Sequence, residues 1–352
     1  MNFKLVTENK ANDQVRVLLN NTVLGNEGGM RYKHVNTLEK INHLVNPYFI
    51  SLFKGDRLLG TINLTQRAIT PEGTNSYYIR YFSFFESYKS KHTGKKKGKS
   101  SSVIKQEIEK AFINGPDNRP EEKAIYYAYV EINNERSARV CREFNFEPQR
   151  LLNTSIFSRF YPKGSKNVFK INEQEKKEVI NALDEFYTGY TMYQKQVLFK
   201  SGEYYVLKEN GKIVAGVQAT PTKWIINEIP GLSGKIILNI MPLLPLLSKI
   251  FNPKNYNFLS YDYFFCKKGS EHKINELFEA VLYTTKHYSG IIWSDHDSDE
   301  HKLLKKYCSY GIMNKIKKDV PANIILRFNN YTESEKLIFK EKPAFVSSFD
   351  LT

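Results

Sequence analysis

Cysteine is scarce. Cys141, Cys266 and Cys308 are the only three in 352 residues. An odd set with no Cys-x-x-Cys spacing argues against both a disulfide framework and a zinc site. The start, MNFKLVTENKANDQV, lacks the apolar core of a secretory signal, so a cytoplasmic location is expected. Long hydrophobic runs are missing too. The most apolar stretch, residues 229–251 (IPGLSGKIILNIMPLLPLLSKIF), carries Lys235, Lys249 and two prolines between them. Its uninterrupted part is too short to span a bilayer, so no transmembrane segment is expected. It reads as a core or groove-lining helix pair, with an acyl-chain pocket or a membrane-surface helix as the other reading. Acidic residues are in deficit, 37 against 52 lysines and arginines, for a net charge of +15. Such a chain attracts polyanions: nucleic acid, an acidic membrane surface or a phosphorylated cofactor.

What is present is enough for real cores: 41% of residues are hydrophobic, and the length suggests two domains. The chain repeats itself. YFISLFKGDRLLGTINLTQ (48–66) and YYVLKENGKIVAGVQAT (204–220) are both hairpin signals, turning at Lys-Gly-Asp and Asn210-Gly211. AIYYAYVEINNERSARVCREFNF (124–146) and GIIWSDHDSDEHKLLKKYCSYGI (290–312) align without a gap at an offset of 166. Each is a buried strand, a polar turn and an amphipathic helix, the second with Leu303, Leu304, Tyr307 and Cys308 on one face. Asp297-x-x-Glu300 resembles a capping box. The join falls near YPKGSKN (161–167). In SDHDSDEH (294–301) the two histidines are five apart, not the four that share a helix face, so a solvated turn is expected there and no metal site.

Between two strands of the first half lies KSKHTGKKKGKSSSVIKQEIEKAF (89–112), a lysine-rich loop opening a helix. It nearly matches a nucleotide P-loop, but Thr93 occupies the position the first glycine needs, and the preceding strand SYYIRYFSFF ends well upstream. The helix places Val103, Ile104, Ile108, Ala111 and Phe112 on one face. Lys95-x-x-Gly98-x-Ser100 resembles the Gln/Arg-x-x-Gly-x-Gly/Ala loop of the GCN5-related N-acetyltransferases (GNAT family). There, loop and helix N-terminal amides hold a pyrophosphate. The order of elements agrees, as do Asn134, Ser137, Ala138 and Phe146 after the fifth strand. The resemblance covers residues 1–160 well and 168–328 more loosely.

The resemblance implies an α/β fold of two tandem GNAT-like domains, each a mixed, mostly antiparallel twisted sheet flanked by helices. The expected boundaries are 1–162 for an acyl-CoA-binding domain, 166–330 for a degenerate copy and 331–352 for an extension. It also implies acyl transfer from a coenzyme A thioester, acetyl-CoA or another acyl-CoA, to a small-molecule or peptide amine. Implied cofactor contacts are Phe84, Lys95, Lys96, Lys97, Gly98, Lys99, Ser100 and Asn134. Glu86 and Glu131 are the carboxylates placed to act as base. Cys141 falls where the family has its tyrosine acid, a candidate to protonate the leaving thiolate or accept the acyl group; the other reading is a small buried core side chain. The second half keeps Tyr307 and Gly311 but has only Lys267-Lys268-Gly269 where the loop belongs. Tandem members include protein N-myristoyltransferases and aminoacyl-tRNA-dependent peptidoglycan enzymes, so the acyl donor stays open. A noncatalytic ligand- or nucleic-acid-binding protein is the alternative.

Overall fold

The computed structural model describes residues 3–25, 28–84, 99–316 and 321–352. The first half runs β1 (Phe3–Glu8), α1 (Asp13–Asn20), β2 (Arg31–His34), α2 (Thr37–Asn42), β3 (Pro47–Lys54), β4 (Arg57–Ile69), β5 (Thr74–Phe84), α3 (Lys99–Asn114), β6 (Ala124–Glu131), α4 (Glu135–Glu143) and β7 (Glu147–Ser158). The second continues with β8 (Val168–Lys170), α5 (Lys176–Phe186), β9 (Glu203–Glu209), β10 (Lys212–Glu228), α6 (Gly231–Ile240), α7 (Pro245–Ile250), β11 (Tyr256–Cys266), α8 (Ile274–Thr285), β12 (Ser289–Asp295) and α9 (Asp299–Tyr307). After it come α10 (Ile312–Ile316), β13 (Ala322–Asn329), α11 (Glu333–Glu341) and α12 (Ser348–Leu351).

One sheet passes through both halves in the order β1-β3-β4-β5-β6-β13-β7-β12-β11-β10-β9-β8, with β2 added on the end of β10. Among the described residues every strand-to-strand pairing is antiparallel except two. β5 and β6 run parallel over Ser76↔Ile125, Tyr77↔Tyr126 and Tyr78↔Tyr127; β11 and β12 run parallel over Leu259↔Gly290, Ser260↔Ile291 and Tyr261↔Ile292. Each parallel contact is only three residues long, so both strand pairs splay apart toward their C-terminal ends. The sequence repeat lands on this feature: the pairs Ser76↔Ile125 and Ser260↔Ile291 are equivalent at the 166-residue offset of β6 and β12. The halves exchange strands at the centre. β13 of the second half pairs with β6, and β7 of the first pairs with β12.

Alternation along β6 sorts its side chains. Tyr126 and Val130 pack under α3 with Ile108 and Phe112, whereas Ile125, Tyr127 and Tyr129 face a central cluster shared by both halves. Val103 departs from expectation and is exposed. It lies about 100° around the helix from Ile104, off the stripe that Ile104, Ile108, Ala111 and Phe112 bury. The N-terminus of α9 is also set differently. Its cap is Ser298, whose Oγ accepts from His301 N–H at 3.0 Å, while Asp297 pairs with Arg150. The cap therefore sits one residue later than the Asp297–Glu300 spacing suggests.

Two glycines are required by close approach. A Cβ on Gly290 would meet the Tyr261 ring at 2.1 Å, and that ring is buried with its hydroxyl on the Phe278 carbonyl. Gly311, at φ +90°, would bring a Cβ to 2.3 Å from the Ser158 carbonyl oxygen. Its retention beside Tyr307 thus follows from packing of the second half on β7. Gly290→Ala forces the Tyr261 ring to move within a filled core, so it is expected to lower the urea midpoint by roughly 1–3 kcal/mol equivalent. An unchanged midpoint would show that the ring has room.

Candidate active site

The splay between β5 and β6 opens toward the N-terminus of α3. The crossover from β5 to the parallel strand β6 requires α3 to run back against both strands, which sets its first turn at their C-terminal ends. Lys99 and Ser100 begin that helix, at the junction expected of a phosphate cradle. Glu86, Lys95, Lys96, Lys97 and Gly98 lie outside the described residues, as do the side chains of Phe84, Lys99 and Ser100.

The equivalent junction in the second half is filled by the chain's own carboxylates. Gly269 N–H donates to Glu271 Oε2 at 2.9 Å, and Ser270 Oγ donates to Glu209 Oε2 at 3.1 Å. Backbone N–H bonds, including Gly269's, hold the Glu271 carboxyl below its usual range. An acid seated on these amides competes directly with a pyrophosphate. The widening between β11 and β12 is likewise engaged. Asp262, the counterpart of Tyr78, accepts from Ser347 Oγ at 3.1 Å and Ser348 N–H at 3.0 Å, and Ser260 Oγ bonds Ser348 Oγ at 2.7 Å.

Beyond the first splay, residues from distant elements converge. Arg80 stands at the register shift between β4 and β5, where Asn63↔Tyr81 gives way to Leu64↔Ile79. Its guanidinium donates to the Phe349 carbonyl at 2.9 Å and to the Thr352 carbonyl. Arg67 is fully buried and pairs with Asp350 at 2.5 Å; burial opposes its charge most strongly, but Asp350 together with Tyr127 and Tyr263 raises its pKa overall. Tyr127 Oη donates to the other Asp350 oxygen at 3.1 Å, and Tyr78 Oη to the Asp350 carbonyl at 2.6 Å. Burial, and then Asp350, raise the pKa of both phenols, which therefore stay protonated as donors.

β2 adds an aromatic wall. Tyr32 stacks on Trp224 at 4.4 Å, and His34 stacks on the same indole at 5.6 Å. His34 is buried, and neither ring nitrogen has a hydrogen-bond partner among the described residues. Burial first, then Lys40 and Arg80, hold its pKa well below the ordinary value, so the imidazole is neutral. Alternation along β6 puts Glu131 on the face of Tyr127 and Tyr129, and its charge is felt at Tyr32.

The other expected residues are placed as follows. Asn134 is the N-cap of α4, with Oδ1 accepting from Ser137 N–H at 3.0 Å. Cys141 is half-buried against the core under α3, and burial pushes its thiol up to about 11. Tyr307 sits at the end of α9, its carbonyl taken by Asn275 Nδ2 at 2.7 Å. His296 and His301 do meet, with ring centroids 5.6 Å apart and Asn153 Nδ2 near both, although they do not share a helix face. No group of metal-ligating residues occurs among the described residues. Arg67, Arg80, His34 and residues 347–352 were not legible as site residues: each is brought in by a strand register or by a segment with no motif.

In solved structures the fold recurs in N-myristoyltransferase of Saccharomyces cerevisiae with bound myristoyl-CoA. The match covers 98% of this chain and 85% of that one at 11% identity, with a TM-score of 0.59. A second structure of that enzyme with bound myristoyl-CoA matches at 12% identity over 92% and 82%, with a TM-score of 0.57. No family model matches the sequence. No curated protein matches it either. The chain shares the fold of these structures, a large, mostly antiparallel open sheet flanked by helices, as expected of two tandem GNAT-like halves.

Proposed function

We propose that this chain is an acyl-CoA-dependent N-acyltransferase with one working site, in its first half. The observation that carries the reading is the contrast between two equivalent splays. The first has the N-terminus of α3 at its open end, reached in sequence through the lysine-rich stretch, with Tyr78, Arg80, Tyr127, Tyr129, His34 and Glu131 beyond it and residues 349–352 bonded to Tyr78, Arg80 and Tyr127. The second has Glu271 seated on its own junction amides, so the two differ at the helix junction. The likeness to enzymes solved with myristoyl-CoA supports a coenzyme A thioester as donor. Acetyl-CoA is the donor the loop resemblance implies, and a longer acyl-CoA is the other arm of the test.

In this reading the pyrophosphate rests on the amides of residues 96–100, and an amine, of a peptide or small molecule, attacks the thioester carbonyl directly. The nitrogen–carbon bond forms as the carbon–sulfur bond breaks. Glu131 takes the amine proton, directly or through water, and the departing thiolate is protonated by a neighbouring donor or solvent. Neutral His34 offers an acceptor and a donor to orient the amine. The domain boundaries at residues 162, 166 and 330 belong to the same proposal, with the second half forming a wall of the acceptor site.

The test is calorimetric binding of acetyl-CoA and myristoyl-CoA, followed by free-thiol release with a panel of peptide and small amines. Glu131→Gln is expected to lower kcat about 10²–10⁴-fold with donor affinity retained. A thiol held protonated at neutral pH is a poor nucleophile, so Cys141→Ala should keep donor affinity and transfer within about twofold. Failure of both donors to bind sinks the proposal. Binding without transfer to any amine favours the noncatalytic alternative.

A further inference from the structure

The apolar stretch at 229–251 folds as α6, a short 3-10 turn (Met241–Leu243) and α7, with the two helical segments bent by 99°. One side is core: Gly234, Met241, Ile250 and Phe251 are buried, and Ile237, Leu238 and Leu247 pack on the central cluster. The opposite side is equally apolar and faces outward. Leu232 is 81% and Leu243 76% exposed, and Ile236, Ile240, Leu244 and Leu246 are exposed with them. Positions 232, 236 and 240 recur every four residues, so they form one stripe along α6 that continues over the bend. A helix apolar on all sides is normally buried all round, and a continuous exposed apolar patch marks a binding surface.

Charge around the patch selects the partner. From Ile229 to Tyr256 there are three lysines and no carboxylate. Lys235, Lys249 and Lys254 are exposed and form no ion pair among the described residues, and Lys223 is exposed nearby. The ammonium of Lys249 lies 5.6 Å from the ring centre of Tyr288. A two-fold contact between copies would set these lysines against each other with no acid in the segment to offset them. No single described helix is long and apolar enough to cross a bilayer. We infer that the α6–α7 elbow is a docking surface for an anionic lipid bilayer, lying flat with Leu232, Ile236, Ile240, Leu243 and Leu246 in the acyl boundary and the lysines at the headgroups. The helix pair shares the central cluster with Tyr32 and Trp224, so a docked chain holds its candidate active site near the membrane. This surface is independent of the acyl-transfer reading.

The experiment is flotation of the full chain with vesicles of phosphatidylcholine containing roughly a third phosphatidylserine, with pure phosphatidylcholine alongside. The wild type is expected to float with the anionic vesicles and far less with the neutral ones. Leu232→Glu with Leu243→Glu should weaken binding at least about thirtyfold while circular dichroism and the thermal midpoint of the free protein stay unchanged. Lys235→Ala with Lys249→Ala should weaken it about tenfold and flatten its salt dependence. Unchanged flotation in the folded Leu232/Leu243 variant overturns the inference. So does a wild type that fails to float but sediments as a dimer that this variant abolishes.

Discussion

Replacing Arg67 with alanine is expected to cost roughly 3–5 kcal/mol of stability, because it leaves Asp350 buried with its main charge partner removed. The pair is wholly inaccessible, at 0% and 1% side-chain exposure, so solvent cannot take over the role of the guanidinium. Asp350 also holds the last turn of the chain against Tyr127. Its release should expose residues 343–352 to proteolysis before the rest of the fold opens. Urea unfolding measures the first effect through the midpoint at unchanged slope. Replacing both partners, Arg67→Met with Asp350→Leu, removes the uncompensated charge and should recover most of the loss. A single-variant loss below about 1 kcal/mol would mean that water reaches the pair and the segment is not anchored there.

Stability is expected to fall as pH rises from about 5 to 8.5, by an amount on the order of 2–3 kcal/mol. Burial raises Asp262 from an ordinary 3.8 to about 7 and Glu300 from 4.5 to about 8. Between the ordinary and raised values the native state binds more protons than the unfolded state. The stabilisation is therefore fully present below about pH 4 and lost as pH climbs through 7 and 8. Asp262 accepts from three backbone N–H groups and Ser347, which favour its ionised form, so Glu300 should carry more of the effect. Glu300→Gln keeps an acceptor for Tyr187 Oη and removes the titration. It should raise stability above pH 8 by on the order of 2 kcal/mol and flatten the upper part of the profile. Thermal melts across this range decide the point. A wild-type profile flat from pH 5 to about 8.5, or a glutamine variant with the same slope, counts against it.

The sequence by itself determined the local units and their repetition. Alternation in AIYYAYVE makes β6, the Asn210-Gly211 turn makes the β9–β10 hairpin, and the apolar stripe around Ile104, Ile108 and Phe112 makes α3, because period and turn chemistry act within a few residues. The 166-residue offset was equally legible and proves to be the repeat of the two splays. The missing cradle in the second half was visible as an absent motif, but only the fold shows Glu271 and Glu209 seated there. Tertiary structure alone decided that the halves exchange β7 and β13, since strand partners are chosen by packing across hundreds of residues. It alone decided that β2 crosses to β10, bringing His34 and Tyr32 to Trp224. It alone placed residues 347–352 between Asp262 and Arg80. KPAFVSSFDLT carries no motif. Its role comes from buried partners with which it must satisfy every hydrogen bond and charge, and those partners, Arg67, Arg80, Tyr127 and Asp262, become neighbours only when the sheet closes its centre.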